Sequence, residues 1–263
     1  MTTGIQHGAT ELLHLAQRVQ ELSTNIISHL KHTGHQVPNS TPASPAVPIG
    51  DSKYDNLRSS LNDAASTLLL LVNGPTLHAR KLLSAANDLA AYQVAFDFDF
   101  FNAVPVDGVL DLHHLSEKTG IDADRAGRII RTLATQHMFE EVGRNKFAHT
   151  NASAIFVRDP ELFAACQYTL DEMFKAAAYT SESIKAGTPT AFVHHHGEPP
   201  FEYYQKNPAK SKRFAEAMKA ITRIDRDFSE LKEGIPWADL GNAKVVDVGG
   251  GSGHVSAVLA QVS

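Results

Sequence analysis

The chain has 263 residues and a formal net charge of −5, a balance that excludes a general attraction to nucleic acid or anionic lipid. Its single cysteine, Cys166, excludes an intrachain disulfide and fits a reducing compartment. The N-terminal sequence MTTGIQHGATE lacks the basic and apolar regions of a signal peptide, and the longest strictly apolar run covers only residues 68–72. We therefore expect a cytoplasmic protein without a membrane span.

The first predicted element is an amphipathic helix over residues 10–32, within a segment assigned to residues 1–36. Its apolar side chains recur at alternating steps of three and four, which suits packing against a second subunit or against its own domain. Both alternatives stay open. The apolar positions are Leu12, Leu15, Val19, Leu22, Ile26 and Leu30. Residues 37–52 are rich in proline, which predicts an extended linker with no fold of its own.

Two more helices are predicted before residue 95. The first covers residues 54–72 and ends at Asn73-Gly74-Pro75, because glycine or asparagine can take a left-handed cap. The second begins at Pro75, a residue that suits the first turn of a helix, and runs to about Val94. The aromatic stretch 95–105 fits either a short strand or a packed turn.

Residues 106–150 show the order helix, turn, helix and β-hairpin, which is typical of a winged helix. The first of these helices ends at Gly120, and Asp122 is the predicted N-cap of the second. Two short strands flank the turn-forming residues 143–145. The side chains of the second helix that face inward are predicted to be Ile129, Ile130 and Leu133.

The second helix of this segment carries an arginine at every third position, where a DNA-binding protein would contact the major groove. These residues are Arg125, Arg128 and Arg131. Within residues 106–150, however, six Lys or Arg oppose seven Asp or Glu, which is a poor charge balance for binding a phosphate backbone. We therefore predict a structural or dimerising winged helix and no nucleic-acid partner.

Three further helices are predicted, at residues 151–157, 159–179 and 208–232. The loop between the last two contains three consecutive histidines, His194 to His196. Adjacent histidines diverge, and no Cys or HExxH spacing accompanies them or the pair His113–His114, which favours a solvated loop over a metal site. A substrate-lining histidine is the alternative. Cys166 lies in an apolar helix and is predicted to be a small core residue.

The most distinctive motif begins with KVVDV at residues 244–248, whose valines around Asp247 predict a buried strand. A glycine-rich loop and an amphipathic helix follow. The dinucleotide spacing GxGxxG fails, because His254 stands where the third glycine should be. A tight turn with bare backbone still lets a ligand approach closely. The loop residues are Gly249, Gly250, Gly251, Ser252 and Gly253.

The strand, its acid and the GxGxG loop resemble motif I of S-adenosylmethionine-dependent methyltransferases. Together with the helical, winged-helix first half and the sequences FEYYQKNP and RFAEAMKAIT, they resemble the caffeate-type small-molecule O-methyltransferases. The fungal branch of secondary metabolism is the most similar. The resemblance covers residues 60–263.

This resemblance implies a fold class: a mainly α N-terminal part with a winged-helix dimerisation domain, then the first βα unit of an α/β Rossmann-like methyltransferase domain. It also implies a homodimer, S-adenosylmethionine as methyl donor, and a small phenolic or polyketide-type hydroxylated acceptor. Residues 249–253 would lie under the methionyl part of the donor, and Asp247 would fix the loop. The acceptor-pocket residues implied are Met218, Phe214, Phe201 and Phe174, for which core packing is the alternative.

In the family the chain continues well beyond motif I, and its catalytic histidine would lie beyond Ser263. We therefore expect a truncated, inactive form with weak or absent donor binding, no catalytic residue and no metal site. The alternatives are a non-methylating relative that catalyses a pericyclic or dehydration step, and a non-enzymatic winged-helix dimerisation module. The predicted segments are the N-terminal helix (1–36), the linker (37–52), the helical and winged-helix dimerisation domain (53–158), the acceptor-pocket region (159–240) and the incomplete donor-binding domain (241–263).

Overall fold

The computed structural model describes residues 2–45, 47, 50–225, 231, 234–241, 243–248, 250 and 253–260. The chain divides into two compact units, Met1–Ala220 and Ile221–Ser263. The described residues are mostly helical, with one small sheet. Among them we find no helix with the length and apolar character needed to span a bilayer.

Within the described residues the elements are mainly helices, with one three-stranded sheet among them. In chain order they are α1 (Thr2–His32), α2 (Ser52–Asp97), α3 (Phe100–Ala103), β1 (Leu110–Asp111), α4 (Leu112–Thr119), α5 (Ala123–Thr135), β2 (Phe139–Gly143), β3 (Lys146–His149), α6 (Asn151–Arg158), α7 (Pro160–Tyr168), a π-helical turn (Thr169–Met173), α8 (Phe174–Ala178), α9 (Thr180–Ala186), α10 (Ala191–His196), α11 (Pro200–Lys206), α12 (Pro208–Asp225), a 3-10 turn (Trp237–Leu240) and α13 (His254–Leu259).

The two long helices α1 and α2 pack against each other. Leu22 and Leu30 of α1 are buried, so part of the predicted apolar stripe packs within its own unit. Asp51 joins the two helices through both carboxylate oxygens. One lies 2.6 Å from Nε2 of His29, and the other accepts the backbone N–H of Tyr54 as the N-cap of α2.

Helix α2 is bent at the predicted break. Gly74 has φ 65° and ψ 173°, which interrupts the helix immediately before Pro75. The predicted division into two helices at Asn73-Gly74-Pro75 is therefore confirmed. Glycine suits this position because it adopts positive φ without steric cost. The aromatic stretch 95–105 contains no strand. It ends α2 and forms α3, where Phe100 and Phe101 are fully buried.

The core of the first unit is aromatic. The Phe101 ring lies 4.7 Å from that of Phe96, 4.8 Å from that of Phe156 and 5.4 Å from that of Phe139. These rings come from α2, α3, α6 and β2. Burial of such large apolar side chains is the main force that assembles these elements.

Residues 110–149 form two helices and an antiparallel sheet of order β1-β3-β2. Helix α4 ends at Gly120 with φ 71°, and Asp122 caps α5 by accepting the backbone N–H of Arg125. Ile130 and Leu133 are buried, and Ile129 is half-buried, as the spacing predicts. The order of helices and hairpin strands is as predicted, and the two-residue strand β1 is an addition.

The predicted helix over residues 159–179 is borne out from Pro160 to Ala178, with a π-helical turn inside it, whereas the predicted loop that follows is wrong. The structure divides 160–178 into α7, the π-helical turn and α8, and then forms α9, α10 and α11. Gly187 and Gly197 end two of these helices with left-handed backbone, and Pro200 begins the third. Helices this short have too few turns for their periodicity to be read from the sequence.

The second unit corrects the predicted strand at residues 244–248. Residues 243–247 have no strand pairing, and Val245, Val246 and Val248 are 55%, 70% and 92% exposed. A strand needs a neighbour for its backbone N–H and C=O groups, and the described residues of this unit hold no other strand. Helix α13 is confirmed, whereas the described end of α12 is Asp225 and residues 226–230 lie outside the described residues.

Candidate functional site

Asp247 organises the glycine-rich turn of the second unit. Its Oδ2 accepts a hydrogen bond from Ser256 Oγ on α13 at 2.8 Å. A Cβ added to Gly250 would overlap the Asp247 carboxylate, so a larger residue here requires the carboxylate or the turn to move. Gly253 has φ 75°, and its backbone N–H donates to the carbonyl of Gly250 at 2.8 Å. The structure thus places Asp247, Gly250 and Gly253 in one turn, in which the two glycines have no side chain of their own to cover the backbone.

The other predicted donor residues, Gly249, Gly251 and Ser252, lie outside the described residues. A carboxylate that holds the turn, together with a bare backbone beside it, suits close approach of a ligand to the chain.

Two of the four predicted acceptor residues lie on α12. Phe214 is half-buried, and its ring stacks on that of Tyr204 at 4.7 Å with an interplanar angle of 18°. Met218 is also half-buried and lies one helical turn further, on the same face. Phe174 is half-buried on α8, whereas Phe201 is 74% exposed on α11. The structure therefore brings Phe214 and Met218 together but leaves Phe201 at the surface.

A buried group of charges beside Phe214 was missed by sequence reasoning. Arg213 Nη2 donates to Asp171 Oδ2 at 2.5 Å and also to Oε1 of Glu172, whose side chain is fully buried. Lys175 and Lys210 donate to the two oxygens of Asp171 at 2.5 and 3.3 Å. From the sequence, only Asp171 and Lys175 could have been predicted to pair, because they lie four residues apart on a helix. Arg213 is too far from Asp171 and Glu172 in sequence for a local pattern to indicate its contacts.

These contacts set the charge states of the group. Burial alone would raise the pKa of Asp171, but hydrogen bonds from Lys175 and Arg213 hold it well below its usual value. Burial, followed by the nearby Glu172 carboxylate, raises the pKa of Tyr204, so its phenol is neutral. Among the described residues, the Tyr204 hydroxyl and Glu172 Oε2 have no hydrogen-bond partner. The π-helical turn that carries both acids is a form often found at functional sites.

The three consecutive histidines lie on α10 and not in a solvated loop, which corrects the prediction. The His195 ring stacks on Tyr179 at 4.9 Å, and the His196 ring lies 4.2 Å from Phe192 and 4.7 Å from Tyr203. Burial lowers the pKa of His196. Among the described residues no group of His, Cys, Asp and Glu side chains could hold a metal ion.

Cys166 is confirmed as a core residue. It is half-buried against the aromatic core, and burial raises the pKa of its thiol to about 11. The thiolate, which is the nucleophilic form, is therefore disfavoured near neutral pH.

Each arginine of α5 lies beside a carboxylate. Arg125 is 3.4 Å from Asp122, Arg128 is 2.8 Å from Asp124 and Arg131 is 2.8 Å from Glu141. The hydrogen bonds from Arg131 lower the pKa of Glu141 to about 2. A cavity of about 800 Å³ lies next to these residues. It contains none of the predicted site residues and is lined by Val94, Phe98, Gly120, Ile121, Asp122, Arg125, Arg128 and Ile129.

No family model matches the chain. The O-methyltransferase sol2 of Alternaria solani is 43% identical over 259 residues, which cover 96% of this chain and 59% of that protein. The crystal structure of OxaC in complex with SAH and oxaline has a TM-score of 0.67 at 19% identity and covers 95% of this chain and 62% of OxaC. A structure described as a pericyclic reaction enzyme has a TM-score of 0.61 at 17% identity, over 78% of this chain and 56% of that one.

The structural matches show a shared fold. The chain spans about three fifths of the length of the curated relatives it matches. Over 96% of its own length it is similar to fungal proteins named O-methyltransferases.

Proposed function

We propose that this chain carries the donor-binding loop and part of the acceptor pocket of an S-adenosylmethionine-dependent O-methyltransferase. The acceptor is a small hydroxylated molecule of phenolic or polyketide type. The observation that carries the proposal is the 43% identity, across 96% of the chain, with a protein named an O-methyltransferase. The turn built from Asp247, Gly250 and Gly253 supports it independently.

The described loop residues fit a methyl donor. A sulfonium donor supplies an electrophilic methyl group, and this chain supplies the surface that holds it. The Asp247 carboxylate fixes the turn through Ser256, and the bare backbone at Gly250 and Gly253 leaves room beside it. We assign Gly249, Gly251 and Ser252 to the same loop from the sequence motif.

For the acceptor, we propose that Phe214 and Met218 supply an apolar surface that orients a flat ring, and that Phe174 is a further pocket residue. Such positioning contributes much of the rate in group transfer. Phe201, which is 74% exposed, would contact an acceptor only at the entrance of the pocket. Product mass after incubation with the donor and a panel of phenols is the direct test.

We also propose that residues 53–158 form a winged-helix homodimerisation domain. The bent helix α2 exposes an apolar surface on both sides of Gly74. Its most exposed members are Leu69 at 54%, Val72 at 66%, Leu82 at 79% and Leu83 at 82%. Contiguous exposed apolar residues of this kind mark protein interfaces, and a second copy of the same chain covers them most simply.

Donor binding by this chain alone is proposed to be weak, because the segment that should support the loop is exposed. Val245, Val246 and Val248 pack against no sheet in the described residues. Without that support, donor binding must also order the loop, and the free-energy cost of this ordering reduces the affinity for the donor. In calorimetry with S-adenosylmethionine and a methyl-transfer assay, we expect weak binding and no useful turnover. Micromolar binding with turnover would contradict this proposal.

The second candidate is a non-methylating relative. The observation that supports it is the fold shared with a structure described as a pericyclic reaction enzyme. Product mass separates the two, because methylation adds a methyl group and rearrangement leaves the mass unchanged. A non-enzymatic DNA-binding module is disfavoured, because the arginines of α5 face carboxylates.

A further inference from the structure

Three hydroxyl side chains in this chain directly precede a proline, the pattern that proline-directed protein kinases phosphorylate. They are Thr41, Ser44 and Thr188. The three differ in exposure and in hydrogen bonding. Thr188 is half-buried and its hydroxyl donates to the carbonyl of Ser183 at 3.3 Å. Ser44 is half-buried and its Oγ accepts the backbone N–H of Asn39 at 2.9 Å, whereas Thr41 is exposed.

Thr41 lies in a local turn outside the helices and strands. The backbone N–H of Ser44 donates to the carbonyl of Thr41 at 2.9 Å, with Pro42 at the position that prolines favour in such turns. Thr41 Oγ1 donates to Asn39 Oδ1 at 2.6 Å. Because a residue before proline prefers extended backbone, the opened segment suits a kinase cleft.

The residues on both sides of Thr41 are held by α6. Asn151 Nδ2 donates to the carbonyl of Asn39 at 2.6 Å, and its backbone N–H donates to that of Ser40 at 3.0 Å. Arg158 Nη1 donates to the carbonyl of Pro42 at 2.5 Å. Residues 39–42 of the predicted linker are thus docked on α6 rather than free, and the guanidinium of Arg158 lies beside Pro42.

We propose that Thr41 is a phosphorylation site and that Arg158 recognises the phosphate, so that modification tightens the docking of the linker on α6. In the reaction, Thr41 Oγ1 attacks the γ-phosphorus of ATP, a new O–P bond forms, and the bond to ADP breaks. The hydroxyl proton passes to the base of the kinase. The proposal does not depend on the proposed function.

The electrostatics favour tightening. A phosphothreonine carries a charge of about −1.5 to −2 and three strong acceptor oxygens. The planar arginine fork matches phosphate and forms charge-assisted bonds with it, in place of a bond to a neutral carbonyl. The neighbouring acid Asp159 is directed to α7, where it accepts the backbone N–H of Leu162 at 3.0 Å.

The test treats the full chain with a proline-directed kinase and ATP, locates the phosphate by mass spectrometry and follows hydrogen exchange of residues 39–44. We expect phosphate on Thr41 in the wild-type chain. The peptide that contains residue 41 should carry no phosphate in Thr41→Val, and phosphorylation of Thr41 should be unchanged in Ser44→Ala. Exchange of residues 39–44 should slow several-fold on phosphorylation, and Arg158→Gln should abolish that phosphorylation-dependent change while Arg158→Lys retains part of it.

Two outcomes would overturn the proposal. One is phosphate confined to Ser44 or Thr188, or none on the chain. The other is phosphate on Thr41 with exchange that stays unchanged, or that slows equally in Arg158→Gln.

Discussion

At the scale of single residues, His149 shows how burial fixes a charge state. It is 2% exposed, its Nε2–H donates to the carbonyls of Phe101 and Val104 at 3.0 Å, and its Nδ1 accepts from Ser153 at 2.8 Å. Both ring nitrogens are therefore used by the neutral ring. Burial lowers the pKa of His149, so protonation opposes the fold.

This predicts a loss of stability at mildly acidic pH. The folded pKa lies below the unfolded value, which is about 6.5, so the unfolded chain binds the proton first as pH falls. The contribution of His149 is complete above about 6.5 and is lost as pH falls toward the folded pKa. Urea unfolding at pH values on both sides of this range should show a smaller pH dependence for His149→Gln than for the wild type. Equal dependence in both would refute the assignment, and the exposed His113→Gln is the control.

A second residue-scale prediction concerns the glycine turn. In Gly250→Ala the new methyl group overlaps the Asp247 carboxylate, so the bond from Ser256 must break or the turn must move. We expect donor affinity to fall about tenfold or more, which corresponds to about 1.4 kcal/mol. Titration with S-adenosylmethionine measures it. Gly8→Ala, where the methyl group meets open space, should bind as the wild type does.

Local signals made several residues predictable. Gly74, Gly120 and Asp122 act through their own backbone or nearest turn, so the sequence around each predicts its role. Glu172 was not predictable in this way. Its burial depends on Arg213, and no local pattern indicates that two charges so far apart in sequence meet in the core.

At the scale of elements, strand pairing explains which predictions held. The hairpin strands β2 and β3 pair across a short turn, so their alternation and turn residues were sufficient. Residues 244–248 carry a stronger apolar signal but remain unpaired, because a parallel-type strand depends on neighbours from elsewhere in a chain. The short helices α10 and α11 were not predicted, because capping residues and not an apolar periodicity determine where they begin and end.

The π-helical turn is held to α12 by ion pairs from Arg213 to Asp171 and Glu172. Arg213→Ala leaves the carboxylate of Glu172 buried without its partner, which typically costs 3–5 kcal/mol, an order of magnitude taken from other buried pairs. Urea denaturation should therefore show a large loss for Arg213→Ala. Replacing both partners, in Glu172→Leu with Arg213→Met, should recover part of it.

The matched control is Lys212→Ala, one residue away, where the side chain is 81% exposed and 3.9 Å from Glu216. Surface pairs of this kind contribute little. A loss for Arg213→Ala no greater than that for Lys212→Ala would mean that the buried pair does not hold the two elements together.

At the scale of the whole molecule, the exposed apolar surface of α2 predicts self-association. Leu82 and Leu83 are about four fifths exposed, and full burial of each contributes about 1.5–3 kcal/mol. Sedimentation equilibrium should show a dimer at micromolar concentration. Leu82→Glu with Leu83→Glu should shift it to monomer, whereas Ile184→Glu, at another exposed apolar position, should not. A monomeric wild-type chain would contradict the dimer proposal.

The central claim is that the turn of Asp247, Gly250 and Gly253 binds the methyl donor, and a nuclear magnetic resonance titration tests it most directly. We expect S-adenosylmethionine to shift the backbone amide signals of Gly250 and Gly253 in a saturable way, with half-saturation in the millimolar range. Asp247→Ala should remove these shifts while leaving the spectrum of the first unit intact. Saturable shifts confined to other residues, or none at all at millimolar donor, would contradict the assignment of this loop.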